Sequence, residues 1–162
     1  MPRPSRLIID NSIHHVIARG NQKQITFIDE CDFLRYLDLL KHYKHKYRFE
    51  LYGYCLMPNH IHLIIKVLLG KDLQKIMQGL NQTYTIWFNE KYNKAGHLWQ
   101  GRYKDMLVQE DKYLLDCITY VEFNPARANL VKSPAEYRWC SWNSRFGIKQ
   151  DHLINQFDVF ER

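Results

Sequence analysis

The 162-residue chain lacks any apolar run long enough to cross a bilayer, any cysteine pair at metal-ligand spacing and any internal repeat. Its longest apolar stretch, Ile61 to Leu69, is broken by Lys66 and falls far short of the roughly 20 residues a membrane helix needs. Met1 to Arg19 holds no signal-peptide core, so the expected location is the cytoplasm, nucleoid-associated at most, with no membrane partner. Cys31, Cys55, Cys117 and Cys140 stand far apart among apolar or aromatic neighbours, which suits buried reduced thiols better than bridges or zinc ligands. Low-complexity tracts and linker-like segments are also missing. One domain over residues 1–162 is therefore expected, with the segment from about 134 packed on it as a tail.

Acid is in short supply. Lys and Arg outnumber Asp and Glu by 23 to 17, a net charge of +6, which favours a polyanionic partner. The aromatics lie among the bases, as in KHYKHKYRF (Lys41 to Phe49) and HLWQGRYK (His97 to Lys104), the mixture that single strands use for stacking and phosphate contact. Composition alone fits a solvated helix face with ordinary core aromatics slightly better.

Periodicity gives an alternation of strands and helices. SIHHVIAR (Ser12 to Arg19) reads as a strand ending at the turn pair Gly20-Asn21, and Asp29 or Asp32 can cap a helix to about Tyr47 with Phe33, Leu34, Leu37 and Leu40 inward. FELYGYCLM (Phe49 to Met57) and HIHLIIKVL (His60 to Leu68) are strand runs separated only by Pro58-Asn59, which predicts a tight antiparallel hairpin. Asp72 can cap a second helix whose stripe is Leu73, Ile76, Met77, Leu80, Tyr84 and Trp87. A loop from Tyr92 to Arg102 leads to a strand at Lys104 to Gln109, and Asp111 can cap a third helix that Pro125 ends near Asn124. The order βαββαβ plus a helix predicts an α+β ferredoxin-like sandwich: an antiparallel sheet with helices on one face, plus a further helix and a C-terminal tail.

Within this frame two short patterns carry chemistry. Side chains alternate across a strand, so His60 and His62 share a face with imidazoles about 6 to 7 Å apart, close enough to converge on one ion. In TYVEFNP, Tyr120 and Asn124 are four apart, which puts a phenol beside a hard amide oxygen on one helix face. Each pattern alone has an ordinary structural reading: a hydrogen-bonded strand feature, and a rim tyrosine with a helix stop. Together they place metal donors and a nucleophile within one chain.

These residues also carry a resemblance. Met57 to His62 (MPNHIH) is similar to the MPNHxH block of the REP-associated tyrosine transposases, single-tyrosine relatives of the HUH superfamily. Gly96 to Tyr103 (GHLWQGRY) resembles their GHxxQGRY-like block, Tyr120 to Ala128 (YVEFNPARA) their YxExNPxRA block, and His15 to Gly20 (HVIARG) their HVxxRG start. The likeness spans Ser12 to Phe146. It implies His60, His62 and Asn124 as ligands of a divalent ion, Mg2+ or Mn2+, and Tyr120 as the nucleophile that attacks a phosphodiester of single-stranded DNA. The products implied are a 5′-phosphotyrosine and a free 3′-hydroxyl, and the retained phosphoester lets the same residues join another 3′ end.

The implied partner is hairpin DNA of the repetitive extragenic palindrome kind with a short unpaired guide. Arg19, Trp99, Arg102, Tyr103, Lys104 and Arg127 become candidates for phosphate contact and base stacking. The family implies a monomer whose Tyr120 serves its own histidines, while related insertion-sequence transposases are dimers that swap catalytic helices. His97 is expected to be structural, and His14 departs from the family pattern and is given no function. Two competing readings stand beside this one: a non-catalytic single-stranded or hairpin DNA-binding regulator of the same fold, and a metal-binding ferredoxin-like protein without a nucleic-acid role.

Overall fold

The computed structural model describes residues 6, 8–109, 111–148 and 152–156. Its elements run β1 (Ser12–Arg19), α1 (Glu30–Tyr47), β2 (Glu50–Met57), β3 (His60–Val67), α2 (Asp72–Tyr92), β4 (Lys104–Val108), α3 (Asp111–Glu122), α4 (Asn124–Arg127) and α5 (Trp142–Arg145). The strands form one antiparallel sheet in the order β2-β3-β1-β4, the ferredoxin-like arrangement expected from the sequence.

Alternation along the strands sorts residues between two faces. Val16, Ala18, Leu51, Tyr54, Leu56, Ile61, Leu63, Ile65 and Val67 form one core with Phe33, Tyr36 and Leu40 of α1 and Ile76, Leu80, Tyr84 and Phe88 of α2. Tyr52, Cys55, Met57 and Ile64 face the other way and pack under Leu114, Ile118 and Val121, which recur at helical spacing on α3. The inward stripe of α1 differs from the expected one: Tyr36 and Leu39 are buried, whereas Leu34 is 42% exposed. The sequence spacing admitted both faces, and the demand for a ring against Phe27 and Tyr84 selected Tyr36.

Helix ends explain the remaining differences. Asp29 caps α1 as expected, in a reciprocal box with Asp32, and Lys91 and Tyr92 of α2 bind the same buried Asp32 carboxylate. Asp72 does not cap α2. It is the first helical residue, with Lys71 at the cap, and there it complements the helix dipole and pairs with Lys75 at 3.6 Å. The side chain of Asp111 lies outside the described residues. Pro125 breaks the third helix after Glu122, but the chain does not leave the helical region, because a proline is tolerated in a first turn and α4 starts at Asn124.

The C-terminal segment covers the β2 edge. Leu56 donates to the Trp139 carbonyl and Ser141 to that of Tyr54, Asn155 donates to Leu51, and Trp139 stacks on Phe33 at 4.6 Å. Cys55 and Cys140 are buried free thiols facing each other across this junction, and Cys117 is half-buried. Cys31 is exposed, contrary to the expectation of burial, since it occupies the solvent side of the first turn of α1.

Candidate active site

The turn Pro58-Asn59 sets the start of β3. The Pro58 carbonyl accepts from the backbone N–H groups of Thr26 and Phe27, and that of Asn59 accepts from Gly20 at 2.8 Å. A Cβ on Gly20 would meet the Gln24 carbonyl at 2.3 Å, so only glycine permits this approach. The hairpin is thereby pinned to the end of β1, where Arg19 pairs with His60 and Ile17 with His62.

His60 and His62 share the α3 face, their ring centroids 5.0 Å apart, somewhat closer than ideal strand spacing suggests. His60 Nδ1 donates to Asn59 Oδ1 at 2.7 Å, which leaves Nε2 with its lone pair. His62, 4% exposed, sits between two partners: Nδ1 lies 2.9 Å from His15 Nε2, and Nε2 lies 2.6 Å from the Asn124 carboxamide nitrogen. A consistent proton assignment has the amide donating to Nε2 and Nδ1–H donating to His15. The lone pair of His62 then points at Asn124, and a half-turn of the carboxamide puts Oδ1 in the same place. Burial, aided by Arg19, lowers the His60 pKa to about 4. Burial, with His60, His15, Arg127 and Arg19 around it, lowers that of His62 to about 3. Both imidazoles are therefore neutral donors near pH 7.

Among the described residues no three histidine, cysteine or carboxylate side chains form a metal-holding group. The Asn124 amide, 2.6 Å from His62, stands where it can serve as a third donor. Two imidazoles and an amide suit a borderline to hard divalent ion completed by phosphate and water, so the donor chemistry fits magnesium or manganese, the latter better for its tolerance of nitrogen.

Tyr120 lies against this group. Its ring centroid is 6.2 Å from His62 and 6.1 Å from His15, and the side chain is 50% exposed. Placement follows from α3: Leu114, Ile118 and Val121 face the sheet, so Tyr120 falls at the helix margin over β1 and β3. The Arg127 guanidinium stacks on the phenol ring at 4.1 Å and donates to the Tyr120 carbonyl, locking helix end and ring together. The helix itself is tethered by Glu122, 1% exposed, whose carboxylate accepts from Ser141 Oγ at 2.7 Å and Arg145 Nε at 2.8 Å.

Beside the histidines, over the half of the sheet that α3 leaves open, lies a cationic groove of about 710 Å³ lined by Arg6, Arg19, Arg102 and Lys104 with Tyr103 at its wall. The Arg6 guanidinium covers the Tyr103 ring at 3.5 Å and donates to its carbonyl. Trp99 is placed differently from these: 8% exposed, it belongs to the first core among Phe27, Tyr36 and Tyr84. His97 is exposed, and its carbonyl accepts from Gln24. His14 is buried and bridges Ser12 Oγ at 2.8 Å and Asp105 at 3.1 Å, tying β1 to β4.

Sequence reasoning did not find three participants. Arg6 enters the groove from far upstream, with no local signal. His15 lay in the HVxxRG-like block, yet its contact with His62 depends on the β1–β3 register. Glu122 lay inside YVEFNP, but nothing in the sequence pairs it with Arg145.

Comparison with known proteins gives a concordant set. The family model described as transposase, IS200 like, matches residues 9–124. A candidate REP-associated tyrosine transposase of Haemophilus influenzae is 27% identical over 108 residues, 60% of this chain; the chain spans 61% of that relative's length. The structure of a REP-associated tyrosine transposase bound to a REP hairpin superposes with a TM-score of 0.76 at 16% identity, covering 100% of this chain and 95% of that one. A candidate transposase of Deinococcus radiodurans R1 aligns at 0.50 and 17% identity over 75% of this chain and 96% of its own. The tRNA(His) guanylyltransferase of Saccharomyces cerevisiae reaches 0.54 at 11%, over 79% and 64%, so the fold alone does not specify a reaction.

Proposed function

The chain belongs to the IS200-like transposase family, and on that premise we propose that it is a single-strand DNA endonuclease and strand transferase acting on hairpin DNA of the repetitive-palindrome kind. The observation that carries the reading is the convergence of Tyr120, His62 and Asn124: an amide 2.6 Å from the imidazole and a phenol ring 6.2 Å from it, brought from remote segments of one chain. The likeness to a REP-associated transposase bound to a REP hairpin supports the choice of DNA.

His60, His62 and Asn124 would hold a magnesium or manganese ion, which when bound supplies positive charge opposite a non-bridging phosphate oxygen. Tyr120 Oη attacks the scissile phosphorus; the new O–P bond forms as the bond to the 3′ oxygen breaks, the phenol proton leaves to solvent and the 3′ oxygen takes one up. The product is a 5′-phosphotyrosine with a free 3′-hydroxyl, and attack by a different 3′-hydroxyl reverses the step. Arg127 holds the Tyr120 ring in place, and Arg19, Arg102 and Lys104 contact the neighbouring phosphates. The proximity of Tyr120 to His62 of its own chain supports action within one molecule.

The test is a denaturing gel of end-labelled hairpin DNAs carrying unpaired flanks, with manganese, magnesium or chelator, comparing wild type with Tyr120→Phe. A protein-linked DNA band that needs both metal and Tyr120 is the expected result. Adduct formation by Tyr120→Phe would sink the nucleophile assignment, and binding without a band in either metal would leave a non-catalytic hairpin-binding protein.

A further inference from the structure

The segment Gly96 to Tyr103 stands between two grooves. On one side is the cationic groove already described; on the other, facing α2, is a second groove of about 650 Å³. Gly101, Arg102 and Tyr103 line both. The segment is held where it is: Asn21 donates to the Leu98 carbonyl and Gln100 to that of Arg19, both within 2.8 Å, and Gln24 Nε2 and Asn89 Nδ2 hold the Leu98 and Gly96 carbonyls. Gly101 turns with φ +61, a conformation that a side chain would strain, and carries the chain over the ridge.

The second groove differs in kind from the first. Its α2 wall is a row of carboxamides, Gln74, Gln78 and Gln82, repeating every fourth residue so that they project one above another along the helix. These glutamines make no hydrogen bond among the described residues, so their donor and acceptor pairs are open to a ligand. Asn81 beside them has its oxygen occupied by the Tyr36 hydroxyl at 3.0 Å, which leaves its amide donors. Trp99 also lines the groove, and its buried indole Nε1 has no acceptor. A wall of neutral, two-headed hydrogen-bonding groups is suited to a flat solute with both donors and acceptors on one edge.

We infer that the α2 groove takes an unpaired DNA base, read by the carboxamides of Gln78 and Gln82, while the phosphates flanking that base lie across the ridge in the cationic groove. This rests on the DNA-cleaving reading proposed above and assigns a second subsite to it. Charge divides the labour: the first groove carries Arg6, Arg19, Arg102 and Lys104 for a backbone, and the second is lined by no lysine and by no arginine except the shared Arg102, with His97 at its edge. A carboxamide pairs bidentately with a base edge, as in Gln or Asn with adenine, and such a pair discriminates against a wrong base by about tenfold or more. Because the two grooves share Arg102 and Tyr103, a single strand can cross the ridge and present backbone to one and base to the other. The specificity of the enzyme for its unpaired sequence would then be set in part by α2, away from the metal donors.

The experiment uses hairpin DNAs whose unpaired flanks are randomised. Pools are partitioned by binding to the full chain and sequenced, for wild type and for Gln78→Ala combined with Gln82→Ala. Wild type should enrich one base at a defined flank position by about tenfold over the poorest base. The double variant should lose that enrichment and bind every hairpin about as weakly as wild type binds the one with the poorest base, with its salt dependence unchanged, because the phosphate contacts are untouched. Enrichment that survives in the double variant, or a wild type that enriches no base, overturns the assignment; so does a uniform loss of affinity with a shallower salt slope, which would make the glutamines backbone contacts. The same oligonucleotides are scored for covalent adduct. Adduct with no glutamine-dependent base preference removes the groove proposal and leaves the catalytic reading, whereas glutamine-dependent preference without adduct does the reverse.

Discussion

The two faces of the sheet are written in alternate letters of the same strands, and they differ most along β3. Toward α1 and α2 that strand presents Ile61, Leu63, Ile65 and Val67, none more than 1% exposed. Toward α3 it presents His60, His62, Ile64 and Lys66, of which only Ile64 joins a core. The coverings differ as well: helices of 18 and 21 residues seal the first face, while the 12-residue α3 lies mainly over β2 and β3 and leaves Ile17 and Arg19 of β1 and Lys104 of β4 open to the cationic groove. A sheet sealed on one side has enough apolar contact to fold, so its other side is free to hold buried imidazoles that a core would reject. Stability and chemistry are separated by the two-residue period of the strand rather than by domain or by distance.

The most drastic way to test that separation is His62→Ala. Removal of this donor should reduce covalent adduct on hairpin DNA to the level seen with chelator, while stability falls by only about 1–3 kcal/mol, because the buried His15 and Asn124 lose a hydrogen-bond partner but neither apolar core loses a member. A large fall in the midpoint would show that the chemical face also holds the fold.

Glu122 lies where the two jobs meet. Its buried carboxylate is shared by Ser141 and Arg145, and Arg145 also donates to the Tyr52 carbonyl, so the pair joins α3, β2 and the tail. Glu122→Ala leaves a partly buried guanidinium with only the Tyr52 carbonyl and should destabilise the protein by about 3 kcal/mol in urea unfolding. Glu122→Gln keeps an acceptor for Ser141 and should recover part of that loss. Equal stability of Glu122→Ala and wild type would mean that α3 is held by its apolar stripe alone.

On the sealed face, Ile61→Ala is the matched partner of His62→Ala, one residue along the strand. The cavity it leaves should lower stability by about 3 kcal/mol, with adduct yield per folded molecule unchanged at a temperature well below the transition. The two variants together sharpen the comparison, because neighbouring side chains should fail in different assays.

How much of this could be read from the sequence follows the same division. The strands, the hairpin at Pro58-Asn59 and the helix spans follow from periodicity and turn residues, and the shared face of His60 and His62 follows from strand alternation alone. Helix ends were less legible: Asp72 at a first helical position and α4 beyond Glu122 both depend on how the chain continues, which local preference does not decide. Least legible were contacts made by register across long separations. His15 meets His62 because β1 pairs with β3, Arg6 reaches Tyr103 across the β1–β4 edge, and Glu122 finds Arg145 only once the tail has folded back. Candidate residues on one element were visible in the sequence; partners on two elements had to wait for the topology.

Arg19 carries the smallest expected effect and probes the open half of the chemical face. It ends β1 opposite His60, is exposed, and lines the cationic groove beside Arg102 and Lys104. If it contacts one phosphate, Arg19→Ala should lower hairpin affinity a few-fold at low salt and flatten the slope of log affinity against log salt by about 1, with the thermal midpoint unchanged. The slope is the decisive quantity. An affinity loss at unchanged slope would mean that Arg19 acts through His60, its cross-strand neighbour, and that the groove and the metal donors are one site instead of two adjoining ones. A changed slope with adduct chemistry otherwise intact would extend the separation one step further, dividing the open face itself into a part that holds DNA and a part that cuts it.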